Sequence, residues 1–437
     1  MRWLAAVLGV AAWLGAGAAM AQTPPQQQGG STAVLMQGFH WDSWSYANPD
    51  WYSILKSQAA DIKALGITHV WFPPPSDSLD DQGYLPRKLN DLSHDYGSQS
   101  ELQAAVKAFT KLGIKTVVDT VINHRVGTTN AYNFTDPKWT TAAIASDDEC
   151  FCGTGAADTG LPYASARDLD HTNSQVSSGI PVWMATLKKI GFSGIRYDYA
   201  LGYRGALQAD YTAAFAPDFC VDEIWTTLNL SAINAHRAIE IGYITGDGSP
   251  CAGSNDASCG TGNGGSCGTF DFTTHGLLVE ALTNNDYNVL QDVNGTDPAG
   301  AIGLDPAMEV TFVDNHDTGP AETCTSGQNL WPVPCGAVMQ GYAYILTHPG
   351  IPTVFYPHVY NWNLRTPIAA LIAARKAAGV NSTSPVAIQQ AVTGLYAAVV
   401  TGTVHQLAMK IGPNAWSPSG AGWVLQTSGN DYAVWMN

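Results

Sequence analysis

The chain has 437 residues, 45% of them apolar and 13% charged. That is enough for one domain of about 250 residues or more with appendages, and it leaves no long polar tract of the disordered kind. The formal net charge of −16 repels phosphates and excludes nucleic acid as a partner, whereas a neutral substrate is indifferent to that field. Fourteen Trp and eighteen Tyr suit stacking on the C–H faces of sugars, as they also suit a large core.

In chain order, the first element is a targeting pattern. Arg2 supplies the positive start, Leu4 to Met20 is apolar and small, and Ala19-Met20-Ala21 is a small-x-small cleavage signature before Gln22. Residues 1–21 therefore read as a signal peptide cleaved near Ala21. The mature chain is expected to be secreted, extracellular or periplasmic. No later stretch is long and apolar enough to span a bilayer, so no membrane partner is expected.

Thr32 to Trp41 reads as a strand. Trp51 to Gly66 is a predicted helix, with Ile54, Leu55, Ala59, Ile62 and Leu65 on one face. Thr68 to Pro73 is a strand, Ser98 to Gly113 a helix, and Lys115 to His124 a strand rich in β-branched residues. This βαβαβ order marks a parallel sheet. It resumes with a helix over Val176 to Gly191 and a strand over Gly194 to Ala200, then a helix over Tyr203 to Ala216 and a strand over Phe219 to Trp225. Helices follow at Leu230 to Ile244, His275 to Asn284, Ala337 to Thr347 and Pro367 to Ala378, with strands at Thr269 to Phe272, Glu309 to Asp314 and Thr353 to Tyr356.

Eight strands and eight helices are the count of a TIM (β/α)8 barrel, so the fold class is α/β. The barrel is expected over 22–124 and 176–380. Residues 125–175 interrupt it after the third strand as a small irregular inserted domain. Residues 381–437 alternate apolar runs with turn residues and read as a C-terminal antiparallel β-sheet domain.

Barrel enzymes carry reactive groups at the C-terminal ends of strands. Four segments here end in polar residues where an apolar strand would continue: Asp119-Thr-Val-Ile-Asn-His124, Gly194-Ile-Arg-Tyr-Asp-Tyr199, Phe219-Cys-Val-Asp-Glu-Ile-Trp225 and Phe312-Val-Asp-Asn-His-Asp317. One such Asp can simply cap a helix. Four ends converging on one barrel mouth crowd carboxylates that would repel one another without a task.

In this order and spacing the four segments resemble the conserved regions of the α-amylase family of glycoside hydrolases (family 13). The likeness extends to Gln37-Gly-Phe-His-Trp41 and Gly83-Tyr84 and covers most of residues 32 to 380. Within the family the chain is similar to bacterial maltooligosaccharide-forming amylases of the maltotetraose-forming type. The resemblance implies a starch hydrolase acting on α-1,4-glucosidic bonds of starch, amylose and maltooligosaccharides by double displacement. Asp198 would be the nucleophile, Glu223 the general acid/base and Asp317 the carboxylate that grips the sugar hydroxyls. Arg196, two residues before Asp198, shares its strand face and can hold that carboxylate ionised. His124 and His316 would hydrogen-bond the sugar at the cleavage subsite, Tyr84 would stack beneath it, and Trp225 would meet the leaving-group side.

The resemblance also implies a structural Ca²⁺ between barrel and insert, held by Asn123, Asp168 and the Gly202 carbonyl, with a further ligand from Asp147, Asp148 or Asp158. Leu201-Gly202 stands where many relatives carry Lys-His. That change removes a basic sugar contact and leaves only backbone on the calcium side. The rival readings are a transglycosylase, a hydrolase of another α-glucoside, and a non-catalytic glucan-binding barrel. The intact carboxylate trio argues against the last. The chain is expected to act as a monomer.

Eight cysteines in an exported chain favour disulfides over metal thiolates. Cys220 and Cys267 flank neighbouring strands five and six and are expected to pair. Spacing pairs Cys251 with Cys259 and Cys324 with Cys335. Cys150 and Cys152 remain, in a CxC arrangement that resembles a metal or redox site but has no second pair beside it.

Overall fold

The computed structural model describes residues 23–245 and 262–437. The targeting segment and the expected Cys251–Cys259 bridge lie outside the described residues. Eight parallel strands close into a barrel: β1 (Leu35–Gln37), β2 (His69–Phe72), β3 (Lys115–Thr120), β4 (Gly194–Tyr197), β5 (Phe219–Asp222), β6 (Gly268–Phe270), β7 (Glu309–Phe312) and β8 (Ile351–Phe355). Each pairs with its sequence neighbour, and β8 closes on β1 through Leu35↔Thr353 and Gln37↔Phe355. The helices around it are α1 (Trp51–Ala64), α2 (Gln99–Lys111), α3 (Ser174–Ile190), α4 (Gly205–Phe215), α5 (Ile233–Thr245), α6 (Phe272–Asn284), α7 (Val338–Thr347) and α8 (Arg365–Ala378).

Local chemistry sets these boundaries. Asp50 caps α1 by accepting from Ser53 N, and Ser98 with Glu101 forms a full capping box on α2. Gly191, at φ +121°, ends α3 in a conformation that side chains rarely adopt. All of the predicted strands overrun the observed ones at their C-terminal ends, most of all strands one, three, four and five. The backbone stops pairing where polar side chains take over, and Tyr199 turns left-handed at φ 43° just past β4. Asp198 and Glu223 thus stand on loop backbone immediately beyond the sheet. The predicted helix at His275 begins earlier, at Phe272, because Asp271 caps it by accepting from Thr274 N.

Trp71, Phe270 and Phe312 meet inside the barrel, with successive ring centroids 5.3 and 5.7 Å apart. They form an aromatic plug beneath the mouth. The insert is tied at its root by an antiparallel pairing of His124–Arg125 with Arg167–Asp168. The C-terminal sheet consists of β9 (Val386–Val392), β10 (Leu395–Thr401), β11 (Gln406–Ile411), β12 (Val424–Gly429) and β13 (Tyr432–Met436), in the order β9-β10-β11-β13-β12. It packs on α7 and α8, where the Tyr396 hydroxyl meets His348 Nε2 at 2.9 Å. Cys220–Cys267 and Cys324–Cys335 are bonded as expected, and Cys150 and Cys152, whose pairing the sequence leaves open, are bonded to each other. No helix among the described residues is long and apolar enough to cross a membrane.

Outside the barrel wall, Glu240, Asp271 and Glu309 are fully buried, with carboxylate oxygens within 4.8 Å of one another. Burial, then the charge of Asp271, holds Glu309 well above the usual carboxylate range. Such a group keeps its proton when folded and loses it when unfolded above about pH 4.3. Stability therefore falls as pH rises through that window. Glu309→Gln is expected to flatten the loss between about pH 5 and pH 8, read as the shift in urea midpoint. A slope equal to that of the native chain would show the carboxyl to be ionised throughout.

Candidate functional site

The barrel mouth is organised around one guanidinium. Arg196 lies in β4 opposite Asp119 of β3 in the sheet register, and its side chain is almost fully buried. Nη1 donates to Asp119 Oδ1 at 2.9 Å and to Asp198 Oδ1 at 2.6 Å, while Nη2 lies 2.9 Å from Glu223 Oε1. The cation sits 5.1 Å from the centre of the Trp71 ring. Asp119 is held in turn by Trp71 Nε1 at 3.1 Å and the Tyr84 hydroxyl at 3.0 Å. Glu223 Oε2 accepts from Tyr199 N at 2.8 Å, so the turn after Asp198 orients the neighbouring carboxyl.

Asp317 completes the set from beyond β7. His316 Nδ1 meets Gln37 Nε2 at 2.8 Å, and His316 Nε2 lies 3.2 Å from Asp317 Oδ2. With Gln37 as donor, Nε2 carries the ring proton and donates to Asp317. Gln328 Nε2 donates to Asp317 Oδ1 at 3.1 Å.

The charges do not balance. Asp119, Asp198, Glu223 and Asp317 face a single guanidinium, and burial of His316, reinforced by Arg196, keeps that ring neutral. Burial raises Glu223; Arg196 opposes the shift and the Asp198 charge adds to it. Asp198 is also raised by burial against the pull of Arg196. The sequence reading had Arg196 serving Asp198 alone, whereas in the structure three carboxylates share it. Asp317 stands well above its ordinary range through burial and Glu223. A cluster of this kind holds protons at neutral pH, and Glu223, next to an ion-paired Asp198, is a natural seat for one.

Over these groups opens a cleft of about 290 Å³, lined by Trp41, Tyr84, Tyr163, Trp225, Gln328 and Leu330 among others. Trp41 and Tyr84 are nearly parallel, at 3°, with centroids 6.3 Å apart. Trp225 stacks on Phe272 at 5.5 Å. Asp198, Glu223, Asp317, Tyr84, Trp225 and His316 all line the cleft, and Arg196 lies beneath it.

His124 departs from the sequence reading. Its Nε2 is 2.7 Å from the Tyr84 carbonyl and its ring stacks on Tyr163 at 3.9 Å, so it stands behind the cleft wall and not on it. The pairing of His124 with Asp168 draws the ring toward the insert. Asp119, Trp41, Tyr163 and Gln328 were not singled out from sequence. Asp119 left a signal, as an acid inside a β-branched strand, and Trp41 ends the first motif; Tyr163 and Gln328 left none.

At the root of the insert, Asn123, Asp168 and Gly202 do converge. Asn123 Nδ2 donates to Asp168 Oδ1 at 3.2 Å, while Asn123 Oδ1 is buried without a partner. A Cβ on Gly202 would lie 2.0 Å from that Oδ1, so a side chain has no room there. Asp158 Oδ2 is likewise buried and unpartnered. Burial pushes Asp168 up to about 8 and Asp158 up to about 6. Asp148 is committed elsewhere, to Arg167 and to the backbone N of Cys150 and Asp168. Asp147 accepts from Asp158 N. Two orphaned buried oxygens beside a protonation-prone Asp are of the kind that suits a hard cation, and Asp148 and Glu149 bring carboxylate oxygens within 4.8 Å of that of Asp168.

The family pattern for the α-amylase catalytic domain matches residues 52–141, and that for the α-amylase C-terminal β-sheet domain matches residues 377–436. Probable α-amylase 2 of Arabidopsis thaliana is 38% identical over 92% of this chain and 93% of its own. The chain belongs to the α-amylase family. It is an α-amylase-type glycoside hydrolase, and starch-like α-glucans are the substrates that membership implies. Glucan 1,4-alpha-maltotetraohydrolase of Stutzerimonas stutzeri is 29% identical over 89% of this chain and 70% of its own. Identity and coverage are thus higher for the plant α-amylase than for this maltotetraose-forming relative. The γ-CGTase of alkalophilic Bacillus clarkii shares the fold, with a TM-score of 0.67 at 15% identity, over 95% of this chain and 71% of that one.

Within this site, Asp119 is the anchor on which Arg196, Tyr84 and Trp71 converge. Asp119→Asn is expected to lower kcat on soluble starch by about 10²-fold through misplacement of Arg196, with the melting temperature little changed. Activity within threefold of native would show that Arg196 is positioned without it.

Proposed function

We propose that the chain hydrolyses α-1,4-glucosidic bonds of starch, amylose and maltooligosaccharides with retention of configuration. The observation that supports this most directly is the pair of contacts from Arg196 to Asp198 Oδ1 and Glu223 Oε1. One guanidinium holds two carboxyls side by side at the cleft floor. Retaining enzymes need such a pair about 5–5.5 Å apart.

The roles follow from the environments. Asp198, paired with Arg196, attacks the anomeric carbon. Glu223, raised by burial and by the Asp198 charge, gives its proton to the departing glycosidic oxygen. The glycosyl–Asp198 ester forms as that bond breaks. Glu223, now ionised, takes a proton from water, whose oxygen releases the sugar and restores Asp198. Asp317, steered by His316 and Gln328, binds hydroxyls of the distorted ring, and Tyr84 and Trp41 supply flat faces for it. Leu201 leaves the leaving-group side of the cleft without the basic contact many relatives carry there.

A calcium ion at Asn123, Asp168, Asp158 and the Gly202 carbonyl would neutralise the carboxylates at the root of the insert. It stays outside the bond-breaking chemistry. The disulfides support an oxidising compartment, in keeping with secretion.

Asp198→Asn and Glu223→Gln are each expected to lower starch hydrolysis more than about a hundredfold while the protein stays folded. Glu223→Gln is expected to recover part of its activity on a maltosyl fluoride, whose leaving group needs no proton. Equal losses on both substrates would remove Glu223 from the acid role. Chromatography of the products separates hydrolysis from transfer to a second sugar. Chelation is expected to lower the melting temperature, and Ca²⁺ at a hundred times Kd to restore about 2.7 kcal/mol. In Asp158→Asn that response weakens. An unchanged calcium response in this variant would place the cation elsewhere.

A further inference from the structure

On the face of the barrel opposite the cleft, α1 and α8 enclose a second cavity of about 390 Å³, within the size range of small-molecule sites. Its buried walls are Val34, Ile67, Ile372 and Val380, with Arg375 among them, and the exposed Lys63 and Lys376 also line it. No carboxylate lines it. The chain has 36 acidic and only 20 basic residues, so three basic groups on one acid-free cavity run against its composition.

Arg375 is the unusual member. It is 2% exposed and makes no ion pair among the described residues. Nη1 donates to the carbonyls of Leu346 and His348, and Nη2 to that of Gly350. These bonds brace the turn into β8. They leave the net charge uncancelled, and Nε is buried with no acceptor. A buried charge without an anion is costly. Lysines in the last turns of α1 and α8 are what helix ends favour. Helix ends explain neither the open apolar cavity between them nor the unused Nε of Arg375.

We infer that this cavity binds an amphipathic organic anion, a carboxylate carried on a short hydrocarbon body. The carboxylate supplies the counter-charge missing around Arg375, Lys63 and Lys376. The hydrocarbon lies against Val34, Ile67, Ile372 and Val380. Because α1 and α8 belong to the first and last units of the barrel, a bound anion fastens the ring at its seam. It acts on stability and leaves the cleft chemistry alone.

Octanoate is the probe, at submillimolar concentrations and read by melting temperature and by isothermal titration on the full chain. A saturable rise of several degrees is expected, with starch hydrolysis unchanged. Octanol, which has the same tail without charge, and inorganic phosphate, which has charge without a tail, are expected to give no shift at the same concentrations. The double variant Lys63→Gln/Lys376→Gln removes only exposed side chains and should weaken octanoate at least tenfold. Ile372→Phe, which fills the cavity, should abolish binding. The inference is overturned if octanoate gives no saturable shift, if octanol or phosphate matches it, or if both variants respond like the native chain.

Discussion

A guanidinium buried under a barrel mouth must be surrounded by negative charge, and this requirement shapes the site. Arg196 draws Asp119, Asp198 and Glu223 to within hydrogen-bond distance from three adjacent strands. The aromatic plug below keeps water out, which strengthens each of these interactions and raises the cost of any carboxylate left unpaired. One cation cannot ionise four acids. The excess settles as protons, and the geometry decides where. Glu223 shares Arg196 with two other carboxyls and has the Asp198 charge beside it, so it is biased toward the neutral form. An acid and a base then coexist a few ångströms apart without a different residue type for each role.

Much of this architecture was legible because barrel strands and helices write strong patterns. The eight barrel strands and the eight long helices that alternate with them are found in order, since each strand is a short apolar run and most of the helices carry a 3.6-residue stripe, although α4 carries almost none. The ends were less legible. Strands one, three, four and five stop before their apolar-to-polar motifs finish, because closure of the barrel, and not residue preference, fixes the last paired residue. For the site this matters: a side chain on loop backbone can be re-aimed by a left-handed turn such as that at Tyr199.

The site residues divide along the same line. Asp198, Glu223, Asp317, Trp225 and His316 reach the cleft because each follows the end of a barrel strand within five residues, whereas Tyr84 lies in the long connection after β2 and is marked only by its motif. Trp41 stood in plain view in the first motif, but a lone Trp looks the same in a core as on a cleft wall. Tyr163 and Gln328 sit in irregular backbone, where no period says which way a side chain points. His124, which its motif marks as a sugar ligand, sits against the Tyr84 carbonyl and the Tyr163 ring, contacts that its motif does not reveal. Gly202 falls between the two. Its side-chain loss was visible in sequence, yet only the 2.0 Å approach to Asn123 Oδ1 shows that the missing atoms had nowhere to go.

Insert and barrel meet on a seam that couples the proposed cation site to the cleft. His124 pairs with Asp168 across the root of the insert, and the same His124 braces the Tyr84 carbonyl. Tyr84 in turn holds Asp119, which holds Arg196. A charge imbalance at Asn123 and Asp168 therefore pushes on backbone three contacts from the guanidinium that organises the carboxyls. A cation there relieves that push without touching substrate. Under the proposed calcium reading, an ion outside the chemistry would still govern how precisely the chemistry is held, because Arg196 is only as fixed as the Asp119 and Tyr84 that brace it.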